Sequence, residues 1–333
     1  MIEDEVKGLS RLLKKDKVDF KGQRVLVTGG AGFLGSWLCE VLVTQSADVT
    51  CLDNLASGQM ENIEHLSGEG LTFLNHDIAQ PISFEEGFDL VVHMASRASP
   101  FEFSRHPIQI LKANTLGIWV ALGIAKKHKC RFLYTSTSEV YGNPPDSFIP
   151  TPETYNGNVN PVGPRGCYDE AKRAGEAFVT AYHTQHGLDT RIVRIFNTYG
   201  PRMRSDDIYG RVVPRFIDQA LENRPITIFG DGAQTRSFTY VTDQVEGILR
   251  LASKDGLKNP VVNIGSNQET TILKLAKLII TLTSSRSRLA FQPLPVDDPM
   301  RRSPDTTLAK GLLNWAPKVP LEEGLKRFVE HLR

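Results

Sequence analysis

A glycine-rich turn between a strand and a helix most constrains what this chain can fold into. Residues 25–35 read VLVTGGAGFLG, so an apolar run passes through spaced glycines into a helix-forming sequence. Gly29 would make the tight turn, Gly32 would let a pyrophosphate approach the backbone, and Gly35 would let the helix pack on the strand. Free N–H groups at a helix start attract phosphate. The pattern favours dinucleotide binding over a merely structural glycine-rich turn.

The following residues repeat this alternation of strand and helix. Helix-forming stretches of ten or more residues separate most of the β-branched or aromatic runs, which are RVLVTGG, DVTCLDN, LTFLNHDI, FDLVVHMAS, CRFLYTSTSEV and TRIVRIFN. Continuous apolar strands alternating with helices indicate a parallel sheet covered on both faces. We predict an α/β fold, a Rossmann-type doubly wound parallel sheet with a smaller discontinuous C-terminal substrate domain.

The chain divides into three predicted parts. After Gly200 and Pro201 the regular alternation gives way to shorter elements rich in Arg, Asp, Gly and Pro. This region would close over the carboxyl edge of the sheet, where open α/β sheets bind ligands. The parts are a helical extension 1–20, an NAD-binding domain 21–200 and 237–265, and a substrate domain 201–236 and 266–333.

The N-terminal extension has the pattern of a charged amphipathic helix, with Val6, Leu9, Leu12 and Leu13 on one side. We expect it to pack on the body of the protein, because its apolar face is short for the alternative, a helix lying on a membrane surface. No apolar run approaches the roughly 18 residues needed to cross a bilayer. The first 20 residues also lack the apolar segment of a signal peptide.

Composition argues against several classes of protein. The 39 Lys and Arg residues nearly balance 38 Asp and Glu residues, which disfavours a nucleic-acid partner. Cys39, Cys51, Cys130 and Cys167 lie far apart without a CxxC pair, which argues against a zinc site and a disulfide framework. We therefore expect a globular, cytoplasmic protein without a metal.

The end of the second strand predicts which dinucleotide binds. Asp53 lies there, and its carboxylate can accept hydrogen bonds from both ribose hydroxyls. Asn54 and the two residues after it supply no cation for a 2′-phosphate, so NAD is favoured over NADP. Asp77 and Ile78 end the third strand, either beside the adenine or in a simple strand-end turn.

A tyrosine and a lysine form the candidate reactive pair. Tyr168 and Lys172 are four residues apart in the helical stretch CYDEAKRAGEAF, so both project from one face. A phenol normally titrates near 10, and a nearby ammonium together with a positive nicotinamide ring would lower its pKa. Thr137, at the end of the TSTSE strand, could hydrogen-bond the reacting hydroxyl. The alternatives are an amphipathic surface pair and a threonine that caps the next turn.

Longer motifs resemble a known superfamily over residues 21–330. They are TGGAGFLG, TSTSEVYG, YNGNVNPVGPRGCYDEAKR, RIFNTYGPRM, GRVVPRFIDQAL, FGDGAQTRSFTYVTD and DDPMRRSPD. Together they resemble the extended short-chain dehydrogenases/reductases, and within them the UDP-glucuronate decarboxylases. The resemblance implies tightly bound, recycled NAD and conversion of UDP-glucuronate to UDP-xylose through a UDP-4-keto intermediate.

The resemblance also implies roles for the reactive residues. Tyr168 would take the proton of the sugar O4 while C4 gives its hydride to NAD, Lys172 would anchor the nicotinamide ribose, and Thr137 would orient the same hydroxyl. The 4-ketone makes the C6 carboxylate a β-keto acid, which can leave as carbon dioxide. Protonation at C5 and return of the hydride would complete the pentose.

Two charged residues point to decarboxylation within the superfamily. The related 4,6-dehydratases usually carry Asp-Glu where this chain has Ser138 and Glu139, so the acid that expels a 6-hydroxyl is missing. Glu139 would handle a proton near C5 or disfavour the substrate carboxylate; alternatively it only satisfies backbone donors at a helix start. Arg302 matches an arginine thought to contact the carboxylate region; alternatively it is a solvated surface residue.

The complete set of expected site residues follows from the motifs and the resemblance. The catalytic set is Tyr168, Lys172, Thr137, Glu139, Ser138 and Arg302. The cofactor contacts are Gly29, Gly32, Phe33, Leu34, Gly35, Asp53, Asn54, Asp77, Ile78, Ser96, Tyr168, Lys172 and Thr198. The substrate contacts are Lys112, Asn197, Arg211, Arg236 and Arg302. The chain departs from the family at residues 96–103, after Pro81 and at Ser303, all expected to border the sugar pocket.

Other functions remain open on the sequence. They are a UDP-glucuronate 4-epimerase, another NAD-dependent sugar-nucleotide epimerase or dehydratase, an enzyme releasing the 4-keto pentose, and a non-catalytic NAD sensor on the same fold. We also predict a homodimer, in which two helices of each protomer form a four-helix seam. The outward residues expected there are Ile110, Trp119, Leu122, Phe178 and Tyr182.

Overall fold

The computed structural model describes residues 1–205, 211–294 and 301–333. Gly210 of the GRVVP motif and residues 297–300 of the DDPMRRSPD motif lie outside the described residues. The strands are β1 (Arg24–Thr28), β2 (Asp48–Asp53), β3 (Leu71–Asn75), β4 (Leu90–His93), β5 (Arg131–Thr137), β6 (Thr190–Ile195), β7 (Thr198–Tyr199), β8 (Ile226–Phe229), β9 (Thr235–Ser237), β10 (Thr239–Tyr240), β11 (Val261–Ile264), β12 (Glu269–Thr271) and β13 (Leu289–Gln292). The helices are α1 (Ile2–Lys15), α2 (Phe33–Thr44), α3 (Pro100–Arg105), α4 (Pro107–His128), α5 (Gly166–His186), α6 (Val212–Leu221), α7 (Val241–Ser253), α8 (Ile272–Thr283), α9 (Thr307–Leu313) and α10 (Leu321–Leu332).

A seven-stranded sheet forms the centre of the molecule, in the order β11-β6-β5-β4-β1-β2-β3. Every neighbouring pair in it is parallel. The strand order reverses direction between β1 and β4, which opens a crevice at their carboxyl ends. The predicted Rossmann-type doubly wound sheet is confirmed.

The sheet is buried on both faces, as its continuous apolar strands predict. Val25 and Val27 of β1 belong to one core cluster, whereas Leu26 between them belongs to a second cluster on the opposite face. Successive strand residues point to opposite faces, so a strand covered on both sides must be apolar throughout. Helices α2 and α7 supply the first face, and α4 and α5 the second.

Helix α4 corrects the expectation that the chain contains no segment able to span a membrane. It is the one helix among the described residues that is long and apolar enough by length and composition. A core helix can meet the same criteria, and α4 buries Ile110, Ile118 and Leu122 completely against the rest of the protein. The expectation that Ile110 and Leu122 point outward at a dimer seam is therefore wrong, whereas Trp119 is 53% exposed.

Helix α1 packs on the body of the protein through Val6, Leu9 and Leu13. The Tyr240 hydroxyl donates to Glu5, with O–O distances of 3.0 and 3.1 Å. Arg250 pairs with Asp16, just beyond the end of α1. The N-terminal helix is thus tied to the β10–α7 region by both apolar and charged contacts.

Smaller paired strands lie beside the central sheet. β8 pairs with β13 in parallel, and β9 pairs with β12 antiparallel. Residue 151, which follows β5, forms a bridge with Pro304, so the C-terminal segment returns to the carboxyl edge of the sheet. That return brings Arg302 to the crevice that β1, β4 and β5 create.

Candidate active site

A cavity of about 1140 Å³ opens at the carboxyl edge of the sheet. It collects side chains from the central sheet, from α5 and from the C-terminal segments. The sequence-predicted site residues that line it are Gly29, Gly32, Phe33, Leu34, Gly35, Asp53, Asn54, Asp77, Ile78, Ser96, Thr137, Ser138, Glu139, Tyr168, Lys172, Asn197, Thr198, Arg211, Arg236 and Arg302. The motifs and the family resemblance thus identified residues that the fold brings into one cavity.

Lys112 is the exception, because it is exposed on α4 and is not among the described residues that line the cavity. Gln109 and Ala113, four residues apart on the same helix, do line it. Lys112 thus lies near the cavity on the same helix without lining it in this structure. Its contact with the substrate stays a prediction.

Some of the residues that depart from the family pattern line the cavity, and others do not. Ser96, Arg97, Phe101 and Phe103 border the cavity as expected. Ile82 and Ser303 are not among the described residues that line it.

The glycine-rich loop leaves no room for side chains at two positions. Gly29 has φ +76°, and a Cβ there would lie 2.7 Å from the Ala95 backbone on the neighbouring strand end. A Cβ on Gly35 would lie 2.1 Å from the Gly29 carbonyl oxygen. Helix α2 then starts at Phe33, and the residues of its first turn line the cavity. This is the cradle that a pyrophosphate requires.

Asp53 is held at the end of β2 by two backbone donors. Its Oδ2 accepts from the Ala31 N–H at 3.0 Å and its Oδ1 from the Leu55 N–H at 2.8 Å. Burial raises the pKa of Asp53, and these two hydrogen bonds oppose that rise. Each carboxylate oxygen keeps a further lone pair for a ribose hydroxyl. The loop and Asp53 together fit the adenosine half of a dinucleotide.

A remote segment adds cations at this end of the cavity that adjacency in sequence did not show. Arg202 and Arg204 line the cavity, and Arg204 Nη1 donates to the Ser57 carbonyl at 3.3 Å. Arg202 pairs with the buried Glu40. These arginines are far from Asp53 in the chain, so the residues that follow Asp53 gave no sign of them.

Tyr168 and Lys172 are both buried on α5 beside the end of β5. Lys172 Nζ donates to the Thr135 carbonyl at 2.8 Å and lies 5.9 Å from the centre of the Tyr168 ring. Burial lowers the pKa of Lys172 to about 7. The Thr137 side chain lies close enough to Tyr168 to lower the pKa of its phenol. The three residues predicted to act together are therefore in one place.

The pKa of Tyr168 differs from the sequence-based expectation. Burial raises it, the negative charge of Glu139 raises it further, and the nearby Thr137 side chain only partly opposes both. The nearby ammonium does not overcome this, because Lys172 is itself buried and loses part of its charge near neutral pH. In the protein alone Tyr168 is thus a protonated phenol.

An acid–arginine cluster, formed by Glu139, Arg165, Asp169 and Arg302, lies beside Tyr168. Glu139 Oε2 pairs with Arg165 and its Oε1 with Arg302. Burial by itself would raise the pKa of Glu139, but the charges of Arg165 and Arg302 lower it to about 2. Arg165 Nε also lies 3.7 Å from Asp169 Oδ2. Glu139 is therefore an ionised carboxylate held between two guanidinium groups.

The cluster decides between the alternatives left open for Glu139 and Arg302. Glu139 does lie in the first turn of a short 3₁₀ helix, Ser138–Tyr141, but its carboxylate pairs with arginines. Arg302 is only 6% exposed, and its Nη2 is buried without a hydrogen-bond partner among the described residues. It is therefore not a solvated surface arginine. Its free Nη2 is a donor available to a ligand.

Arginine and amide groups line the rest of the cavity. Asn197 Nδ2 donates to the Ser237 carbonyl at 3.4 Å. Arg236 is buried and donates to the Thr235 carbonyl at 2.8 Å. Arg211 and Arg215 join them at the start of α6. Planar guanidinium donors in this number fit a diphosphate.

Sequence reasoning placed Phe103 at the pocket without the contact it makes there, and it missed Arg165. The Phe103 ring stacks on Tyr168, with ring centroids 4.8 Å apart and planes at 17°. The Arg165 guanidinium carbon lies 5.6 Å from the Phe103 ring centre. The sequence of the short helix α3 gives no sign that Phe103 stacks on Tyr168. Arg165 lies three residues before Tyr168, a spacing that could have identified it.

Known proteins similar to this chain share both its sequence and its fold. Residues 25–265 match the NAD dependent epimerase/dehydratase family. A relative from Danio rerio, UDP-glucuronic acid decarboxylase 1, is 47% identical over 310 residues, 93% of this chain and 72% of that protein. UDP-glucuronic acid decarboxylase 6 from Arabidopsis thaliana is 43% identical over 323 residues, 96% and 92% of the two chains. The solved structure of UDP-glucose 4-epimerase from Thermotoga maritima with UDP-glucose has a TM-score of 0.83 at 33% identity, covering 93% of this chain and 98% of that one.

Proposed function

Because the chain belongs to the NAD dependent epimerase/dehydratase family, we propose that it is a carboxy-lyase that converts UDP-glucuronate to UDP-xylose with tightly held, recycled NAD. Its relatives at 42–47% identity over most of the chain are UDP-glucuronic acid decarboxylases. The observation that carries the proposal is the position of Arg165 and Arg302 beside Tyr168. Two guanidinium groups next to the reacting hydroxyl suit a sugar that carries a carboxylate.

Oxidation at C4 needs a base for the O4 proton. The cradle of Gly29, Gly32 and Asp53 would hold NAD, which would supply a reversible hydride acceptor and a positive charge to the site. Tyr168 is the base, and Thr137 lies close enough to lower the pKa of its phenol. The Thr137 hydroxyl would orient the same sugar hydroxyl. Tyr168 must lose its own proton before it can take that of O4, and the positive charge of bound NAD would favour that loss. Burial then favours the phenol that holds the O4 proton until the proton is returned.

Decarboxylation follows from the 4-ketone, which accepts the electrons that the C5–C6 bond releases. Arg302 offers its Nη2 to the substrate carboxylate, while its Nη1 pairs with the ionised Glu139. A carboxylate with a pKa of about 2 does not donate a proton at neutral pH. The arrangement in the protein alone thus favours repulsion of the substrate carboxylate by Glu139, which promotes loss of carbon dioxide, over proton donation to C5.

Incubation of the purified chain with UDP-glucuronate tests the proposal. We expect release of carbon dioxide and appearance of UDP-xylose without added NAD. A 4-epimerase would form UDP-galacturonate without carbon dioxide, and an enzyme that releases the 4-keto pentose would accumulate NADH. No turnover at all would point to a non-catalytic NAD-binding protein. Each of these three results would overturn the proposal.

We also propose a cytoplasmic homodimer. The free cysteines suit a reducing compartment. Leu116 and Trp119, three residues apart on α4, are exposed large apolar side chains, and Phe178 and Tyr182 of α5 are half-buried. Pairing of α4 and α5 with the same helices of a second copy would cover this apolar surface.

A further inference from the structure

Asp169 is a buried carboxyl next to Tyr168 that the proposed chemistry leaves unused. It is 5% exposed and is not among the described residues that line the cavity. Its Oδ2 faces Arg165, but its Oδ1 is buried without a hydrogen-bond partner among the described residues. A buried carboxylate oxygen without a donor is unfavourable, so the neutral acid is less costly to bury at this position.

When Asp169 is ionised, the acid–arginine cluster is balanced in charge before a ligand enters. Glu139 and Asp169 carry the negative charges, and Arg165 and Arg302 the positive charges. The other titratable groups that face Asp169 are its chain neighbours Tyr168 and Glu170, together with the Cys167 thiol. A sugar carboxylate bound at the arginines would add one negative charge to this buried group. Like charges nearby favour the protonated form of a carboxyl.

We propose that Asp169 takes up a proton when the substrate carboxylate binds at Arg165 and Arg302, so that the cluster keeps its charge balance. This inference rests on the proposed function. Asp169 does not reach the substrate in this arrangement, so it is a positioning residue that acts through Arg165. Once Asp169 is neutral, the guanidinium of Arg165 has one carboxylate fewer to neutralise and attracts the substrate carboxylate more strongly.

The acidity of Asp169 supports this role. Burial and then the charge of Glu139 raise its pKa to about 7, while Arg165 and Arg302 oppose the rise. A group with that pKa is about half ionised at neutral pH, so an added negative charge changes its protonation. The proton taken up on binding stays on Asp169. It is separate from the proton that the overall reaction consumes, which forms the new C5–H bond after the C5–C6 bond breaks and carbon dioxide leaves.

Calorimetry on the full chain with its NAD bound tests the proposal directly. The Tyr168→Phe variant would prevent turnover, and the heat of UDP-glucuronate binding would be measured at pH 7.5 in two buffers of different ionisation enthalpy. We expect uptake of roughly half a proton per site. UDP-glucose, which lacks the carboxylate, should bind without uptake. Adding Asp169→Asn to the Tyr168→Phe protein should remove the proton uptake that accompanies UDP-glucuronate binding.

Two results would overturn the inference. One is binding of UDP-glucuronate without proton uptake. The other is uptake that persists with Asp169→Asn and disappears with Glu139→Gln, which would place the proton on Glu139. If the Asp169→Asn protein does not fold, the affinity of the Tyr168→Phe protein decides instead. Above pH 7 the affinity of that protein for UDP-glucuronate should fall about threefold per pH unit relative to its affinity for UDP-glucose. An equal pH dependence of the two affinities would contradict the proposal.

The unaltered protein separates this inference from the proposed function. If it releases no carbon dioxide from UDP-glucuronate, the proposed function fails. If it decarboxylates UDP-glucuronate but binding in the Tyr168→Phe protein involves no proton uptake, only the role of Asp169 fails.

Discussion

Tyr168 and Lys172 lie on one face of α5, as their spacing predicts. Burial raises the pKa of Tyr168 and lowers the pKa of Lys172. The side chains that bury them come from elsewhere in the chain, namely Phe103 against the Tyr168 ring and Tyr134 beneath the lysine. Local spacing can therefore predict which residues share a helix face. It cannot predict the pKa values, because desolvation depends on distant packing partners.

Tyr168→Phe should abolish every step of the reaction. The variant keeps the ring that stacks on Phe103 but loses the phenol hydroxyl that takes the O4 proton. No transient NADH absorbance and no carbon dioxide should appear with UDP-glucuronate. Near-normal release of carbon dioxide would contradict the mechanism, since decarboxylation requires the 4-ketone first.

Glu139→Gln should separate the two halves of the reaction. Hydride transfer at C4 should continue, whereas the steps at C5 should slow by about 10²–10³-fold, the usual cost of removing one preorganised electrostatic group from a site. Rapid-scan absorbance of NADH together with carbon dioxide release measures both halves. Glu170→Gln, on the same helix as Tyr168 and outside the cavity lining, is the matched control and should retain activity. Equal slowing of both halves in Glu139→Gln would argue against the separation.

Asp169→Asn should stabilise the protein more at pH 8 than at pH 5. The folded-state pKa of Asp169 is raised to about 7, above an unfolded value near 3.9, so its cost to stability grows as pH rises between those values and is constant above them. The gain in the free energy of unfolding should be about 2 kcal/mol larger at pH 8. Denaturant titrations at both pH values measure it, and equal gains would refute the raised pKa.

At the scale of elements, the β1–α2 unit could be predicted closely and α3 could not. The first depends on local geometry, because Gly29 needs a positive φ and Gly35 needs close contact with the backbone of the same loop. Helix α3 has six residues, and its place depends on Phe103 reaching Tyr168 on a different helix. A short element fixed by such a contact has no periodicity of its own.

Gly35→Ala should remove NAD binding, whereas Gly123→Ala should not. A Cβ at Gly35 would overlap the Gly29 carbonyl, so the loop must change shape. Gly123 lies exposed in α4 with no atom within 4 Å of an added Cβ, and alanine there should stabilise the helix by about 0.5–1 kcal/mol. The NAD content of purified protein and thermal unfolding distinguish the two. Retention of NAD by Gly35→Ala would show that the tight turn is not required.

Across the whole molecule, the parallel, doubly wound sheet could be predicted but the pairing within the acid–arginine cluster could not. Arg302 and Glu139 are 163 residues apart in the chain and meet only because the C-terminal segment returns to the sheet edge. Resemblance identified both residues without showing that they contact each other. Arg165 and Asp169 complete that cluster from α5 and its N-terminal flank, so three separate segments build the part of the site that faces the sugar carboxylate.

Trp119→Lys should convert the proposed homodimer to a monomer. Trp119 is 53% exposed beside Leu116, and tryptophans at the centre of an interface commonly contribute 2 kcal/mol or more to association. A lysine ammonium on that face would be buried without a partner in a four-helix seam of α4 and α5. Light scattering at micromolar concentration should give twice the chain mass of 37.0 kDa for the unaltered protein and the chain mass for the variant. Phe291→Lys changes an equally exposed aromatic residue on β13, outside α4 and α5, and should leave the dimer intact. A monomeric mass for the unaltered protein would refute the assembly, and a dimeric Trp119→Lys protein would place the interface on another face.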